Sequence, residues 1–195
     1  MQIDTWSPKI IGVCDNPYHK KIEKKLTKTC LNISKKIKSG GEDWITKTYN
    51  TLSTYSIHKD NRFNNLNNWI TDKIKEYANS INYMDKYYCK SSWFNIYKKH
   101  DFQEYHTHSH HSLSAVYFLK SNPKKSAKIY FKLDGDPYVT CPQVKEYNNL
   151  NSYKAWYEAV PGRLLIFKSN LPHCVEKSVE KDIRISLSYN FNNDC

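Results

Sequence analysis

Arginine is nearly missing from this basic chain. Of its 30 basic residues only Arg62, Arg163 and Arg184 carry a guanidinium. No arginine-rich segment for reading a nucleic-acid groove is present. The six cysteines are scattered and none forms a Cys-x-x-Cys pair, which argues against a zinc finger or ribbon. Five glycines and seven prolines exclude collagen-like and Gly/Pro-rich classes. No apolar run approaches the roughly 20 residues that cross a bilayer. The start, Met1 to Trp6, has neither the basic residues nor the apolar stretch of a signal peptide. The expectation is a soluble protein with reduced thiols and no membrane partner, cytoplasmic (in the host cell if the protein is viral).

What is present suits a single domain over 1–195: 23.1 kDa, 39% hydrophobic and 14% aromatic residues. The formal net charge of +11 points to an acidic partner, nucleic acid or acidic protein. Abundant Lys, Asn, Ile and Tyr are also what an AT-rich coding sequence yields, so the charge alone does not name that partner.

Apolar spacing divides the chain in two. Ile22, Leu26, Ile33 and Ile37 predict a helix from Asn16 to about Lys38, stopped by Gly40-Gly41. Leu66, Trp69, Ile70, Ile74, Tyr77, Ala78 and Ile81 predict a second from about Asn65 to Asn82. Beyond Tyr87 the period shortens to that of strands: Ser92–Tyr97, Leu113–Leu119, Ala127–Leu133, Leu164–Phe167 and Ile183–Phe191. Asp134 to about Lys154 reads as a long polar loop. The expectation is an α+β, mainly β protein: a helical support region over 1–85 and a barrel or jelly roll over 86–195.

Five of the eight histidines fall between His100 and His111. On an extended strand His106 and His108 would share one face and could chelate one metal ion. His173, after Leu171-Pro172, is the candidate third ligand. Alternatives are His108 with His110, or a carboxylate from Asp101 or Glu104. Arg184 interrupts an alternating apolar strand. Ile183, Ile185 and Leu187 claim the core side, so Arg184 shares the other face with Ser186 and Ser188. An arginine with a serine hydroxyl suits a carboxylate.

These blocks together resemble the Fe(II)- and 2-oxoglutarate-dependent oxygenases, in particular a short subgroup found in phages and marine bacteria. The resemblance runs from about Trp93 to Phe191. It rests on Trp93–Tyr97, His106-Thr107-His108, Leu113–Leu119, Pro161–Phe167, Leu171-Pro172-His173, Arg184-Ile185-Ser186 and Tyr189-Asn190-Phe191. It implies a double-stranded β-helix that uses Fe(II), 2-oxoglutarate and O2. It further implies His106 and His173 as iron ligands, and Arg184 with Ser186 on the far carboxylate of 2-oxoglutarate. Asn95 and Tyr97 would contact the cosubstrate, in a spacing similar to the nucleic-acid demethylase branch, and Tyr117 is a candidate lining residue. The family's usual motif is His-x-Asp or His-x-Glu; here His108 stands at the second position, giving a three-histidine set.

The family reading implies a dioxygenase that hydroxylates a C–H bond and releases succinate and CO2. A protein or peptide side chain is the preferred substrate, as in prolyl hydroxylases. The competing readings are a nucleic-acid demethylase or base hydroxylase, a three-histidine cupin-type enzyme with no need of a dicarboxylate clamp, and a non-catalytic jelly-roll module.

Overall fold

The computed structural model describes residues 1–41, 44–84, 86–133, 143–179 and 181–193. The chain runs β1 (Ile11–Asp15), α1 (His19–Ser34), β2 (Tyr49–Asn50), α2 (Asn64–Ser80), β3 (Tyr87–Tyr97), β4 (Gln103–His106) and β5 (Leu113–Lys120). There follow β6 (Ile129–Lys132), β7 (Lys154–Tyr157), β8 (Arg163–Lys168), β9 (His173–Val175) and β10 (Arg184–Asn193).

Both predicted helices form, each shorter than its apolar pattern. In α1, Leu26, Cys30 and Ile33 recur at helix-face spacing and are buried. Beyond Ser34 the Ile33 carbonyl accepts from the amides of both Lys36 and Ile37 as the helix gives way to a turn. In α2 the buried face is Leu66, Ile70, Ile74, Tyr77 and Ala78. Among the described residues no helix is long and apolar enough to cross a membrane.

The strands form two antiparallel sheets. The larger has the order β1-β8-β5-β10-β3-β2, the smaller β4-β9-β6-β7. Strand alternation sorts the side chains of the larger sheet into two cores. One face, with Phe94, Ile96, Ala115, Tyr117, Leu119, Ile185 and Leu187, packs beneath α1 and α2. The other presents Val116, Phe118, Leu165 and Phe167 to Ile129 and Phe131 of the smaller sheet. The space between the sheets is therefore dry and apolar on the β5–β8 side, and its polar residues lie where β10 meets β3.

Several expectations need correction. β1 and β2 lie in parts of the helical support region to which the apolar pattern assigned no element, and β7 follows the predicted loop. They are short edge or near-edge strands of two to five residues, with too few positions to establish an alternation. The predicted long loop therefore ends as β7 begins at Lys154; residues 134–142 of it lie outside the described residues. The strand expected from Ser92 starts five residues earlier, at Tyr87.

Candidate active site

The cluster is built on cross-strand pairing. His106 closes β4 and His173 opens β9, and the two are register partners in the smaller sheet. His173 lies just past the end of β8 and begins a strand of its own. His108 lies two residues beyond the end of β4, just before a turn at Ser109-His110, and is not on a strand with His106. Its ring nevertheless reaches the site. The His108 amide donates to the Ser169 carbonyl at 2.9 Å, which ties the turn to the end of β8. Ser169 is held in turn: its hydroxyl lies 2.8 Å from that of Ser114, which donates to Asn190 Oδ1 at 2.8 Å.

The rings are oriented for a metal ion. His106 Nδ1–H donates to the Glu104 carbonyl at 2.8 Å, and His173 Nδ1–H to the Leu171 carbonyl at 2.9 Å. A carbonyl can only accept, so both imidazoles keep the proton on Nδ1 and turn a bare Nε2 lone pair inward. His108 Nε2 lies 3.2 Å from His173 Nε2. Two nitrogens bound about 2.1 Å from one ion stand roughly 3.0–3.4 Å apart at angles of about 90–109°, so the spacing fits. One ligand atom from each of the three rings falls within a 4.8 Å span. Among the described residues no carboxylate joins this group. Asp101 accepts from the Lys98 amide and Glu104 from the Ile45 amide, so both alternative carboxylates serve the backbone.

Burial keeps these rings neutral, as metal ligation requires. Desolvation, with the neighbouring histidines adding to it, pushes His108 down to about 2. His173, 3% exposed, is pushed down to about 3 by desolvation and then by His106. His106 moves down as well, mainly through desolvation. Aromatic rings supply the dry surroundings. Trp44 meets His106 edge-on at 4.9 Å, Phe167 meets His173 at 4.8 Å, and Trp93 lies against His108 at 5.5 Å.

Arg184 lines the same cavity, in whose lining no acidic side chain appears among the described residues. It is 1% exposed, so its side chain lies in the interior and not in solvent. Its Nη1 donates to the Ala127 carbonyl at 3.1 Å. Its Nε and Nη2 are buried with no partner among the described residues. The guanidinium carbon sits 4.7 Å from the Tyr97 ring centre and 5.2 Å from that of Phe118. The Glu176 carboxylate acts on this cation from nearby without a hydrogen bond among the described residues, and a buried cation with two idle donors in one fork is costly unless an anion completes it. A carboxylate does so with two parallel hydrogen bonds.

β10 aligns the rest. Arg184 pairs with Tyr97 on β3, Ser186 with Asn95 and Ser188 with Trp93, and all six line the cavity. Asn95 Nδ2 donates to Ser188 Oγ at 3.3 Å, and the Tyr97 hydroxyl donates to Gln103 Oε1 at 3.3 Å. The predicted residues His106, His108, His173, Arg184, Ser186, Asn95 and Tyr97 are thus brought to one cavity. Tyr117 is not among them. It lies on the helix face of β5, fully buried, with its hydroxyl 2.8 Å from His19 Nδ1; its neighbour Val116 faces the cavity instead. Trp44 and Gln103, both lining residues, went unnoticed in the sequence. Trp44 lies in an irregular segment and carries no periodic signal.

Three inward-facing histidine nitrogens and a buried arginine with two unpartnered donor nitrogens lie between the sheets of a jelly-roll-like sandwich, an arrangement that could hold a metal ion and a carboxylate. A family model described as a 2OG-Fe(II) oxygenase matches residues 91–190, just over half of the chain. The protein belongs to the 2-oxoglutarate- and Fe(II)-dependent oxygenase family, and it is an oxidoreductase whose cofactors are Fe(II), 2-oxoglutarate and O2. Solved structures share its double-stranded β-helix. A Pseudomonas putida prolyl-4-hydroxylase superposes with a TM-score of 0.65 at 14% identity, covering 96% of this chain and 94% of its own. The viral collagen prolyl hydroxylase of Paramecium bursaria Chlorella virus-1 gives 0.61 at 11%, with 96% and 97% covered. The carbocyclase SnoK of nogalamycin biosynthesis gives 0.68 at 10%, with 95% and 80% covered. A comparison with curated protein sequences finds no match.

Proposed function

We propose that this oxygenase hydroxylates a C–H bond of a protein or peptide side chain, in the manner of a prolyl hydroxylase, releasing succinate and CO2. The observation that carries the cosubstrate assignment is the pair of idle, buried Arg184 donors facing a cavity that also holds three inward Nε2 atoms. Two of the three structures named above are prolyl hydroxylases, which supports a peptidyl substrate.

In this reading His106, His108 and His173 hold iron, with the Glu104 and Leu171 carbonyls fixing the rings of the first and last. Arg184 clamps the far carboxylate of 2-oxoglutarate, Ser186 supplies a hydroxyl beside it, and Tyr97 packs under the guanidinium. Asn95, two residues before Tyr97 on β3, presents its amide to the cosubstrate. Iron with 2-oxoglutarate and O2 supplies the oxidising chemistry when bound. The protein's own part is to orient these groups, keep the rings unprotonated and exclude water through Trp44, Trp93 and Phe167.

The test is turnover of 2-oxoglutarate to succinate with Fe(II), followed by mass spectrometry of a proline-containing peptide library. The expected product gains one oxygen atom in step with succinate. Oxidation of a methylated oligonucleotide with no peptide product would replace the peptidyl substrate with a nucleobase.

A further inference from the structure

The smaller sheet has a second face, which the catalytic reading does not use. Its inner face carries His106 and His173; the outer face carries a row of rings. Tyr130 on β6 is the register partner of both Trp156 on β7 and Cys174 on β9, and Tyr105 extends the row on β4. Tyr105 is 54% and Trp156 49% exposed. At roughly 4.8 Å per strand, the row from Tyr105 to Trp156 spans about 14 Å. Cys174 is half-buried in this row.

Lysines interleave with the rings. Lys128 Nζ lies 3.9 Å from the Trp156 ring centre and Lys154 Nζ 5.2 Å from that of Tyr130. Lys132 is the register partner of Lys154. Glu176, the acidic residue in this row, is engaged: it accepts from the Lys128 amide at 2.8 Å and from the Tyr130 hydroxyl at 3.1 Å. Those neutral donors leave its charge in place, but among the described residues Lys128, Lys132 and Lys154 outnumber it, so the outward charge of the row is positive.

We infer that this outer face is a docking platform for single-stranded nucleic acid. Exposed rings on a four-stranded sheet offer flat surfaces for unpaired bases, and the lysines between them meet the phosphates. Each ammonium–ring contact has one exposed member, Trp156 in one and Lys154 in the other, so each can exchange for a phosphate and a stacked base. A second copy of this chain is a poor occupant, because each copy carries a net charge of +11. A duplex keeps its bases stacked internally and gains nothing from the rings. The platform lies on the opposite side of β6 and β9 from the cavity, so it anchors the enzyme and leaves the site open. It stands independently of the peptidyl reading.

Fluorescence anisotropy of the full chain with labelled oligo(dT), oligo(U) and a duplex of equal length tests this, with no metal added. The expected result is preference for the single strands over the duplex. Trp156→Ala and Tyr130→Ala should each weaken single-strand binding by about fivefold to about a hundredfold, with the salt slope unchanged. Tyr130→Phe should bind as wild type, since the ring is kept. Lys128→Gln should lower the salt slope by about 0.7. Substituting Lys24 and Lys28 on α1 by Gln should leave the single-strand preference intact. Equal binding of duplex and single strand, with Trp156→Ala like wild type, would show only the general attraction of a basic protein and overturn the proposal. Absence of binding at low salt would also overturn it, as would equal competition by polyglutamate that the ring variants do not alter. Trp156 is half exposed, so circular dichroism of its alanine variant should match wild type.

Discussion

Replacing Arg184 by methionine separates a structural arginine from one that waits for a ligand. Among the described residues the buried guanidinium makes one hydrogen bond, to Ala127, and has two donor nitrogens without partners. Removing it leaves the Ala127 carbonyl short of a donor, at about 1–3 kcal/mol, and loses the contacts with Tyr97 and Phe118, at about 0.5–2 kcal/mol. Against this, a buried charge disappears, and apolar replacement of buried ionic groups often gains about 1–4 kcal/mol. These effects nearly cancel, so ligand-free Arg184→Met should lie within about 2 kcal/mol of wild type. The ligand response should change far more. With Mn(II) present and 2-oxoglutarate at a hundred times its dissociation constant, wild type gains about 2.7 kcal/mol. For a chain of this size that is about 5–11 °C in Tm. Two lost charge-assisted hydrogen bonds are worth about 3–6 kcal/mol, or roughly 10²–10⁴ in affinity. At the same concentration the variant should shift by under about 2 °C. Thermal melts of both proteins, with and without 2-oxoglutarate, provide the assay. A variant that melts far below wild type yet keeps the full ligand shift would refute the clamp.

Other outcomes follow from the same geometry. His173→Ala should abolish metal retention, measured as metal content after desalting, whereas His108→Asp should keep the ion by supplying the carboxylate usual in this family. Acid should weaken the metal-free fold. The unfolded chain takes up protons below about pH 6.5, while His173 and His108 in the folded protein stay neutral down to about 3 and about 2. Stability is therefore fully present above pH 6.5 and falls as pH drops below it. The loss between pH 7 and 5 is about 2 kcal/mol per histidine; denaturant titrations should show it, and His173→Phe should remove about half of the part due to these two rings. Tyr117→Phe should cost about 1 kcal/mol of stability and leave the 2-oxoglutarate response unchanged, since the hydroxyl bonds His19 in the helix-side core. Phe131→Ala should destabilise the fold by about 3–5 kcal/mol, because its ring packs on Phe167, Tyr157 and His173.

Legibility in the sequence tracked local periodicity. β10 alternates Arg-Ile-Ser-Leu-Ser, and its two faces could be assigned before any contact was known; Arg184, Ser186 and Ser188 do share the cavity face. β5 is buried on both faces over seven residues, so no alternation distinguishes them. That is why Tyr117 was assigned to the cavity when its neighbour Val116 fills that place. The histidines were visible as a cluster, but their convergence depends on long-range pairing: His106 with His173 across β4 and β9, and His108 through Ser169. The outer ring row was invisible for a related reason. Tyr105, Tyr130, Trp156 and Cys174 come from four separate strands and become neighbours only through sheet register.

The most direct measurement is an anaerobic titration of metal-free protein with Fe(II) and then 2-oxoglutarate, followed through the weak visible charge-transfer band of the iron–cosubstrate chelate. The band should appear in wild type, need far more 2-oxoglutarate in Arg184→Met, and be absent in His173→Ala. Iron binding with no band at any 2-oxoglutarate concentration would contradict the assignment of this cavity to the cosubstrate.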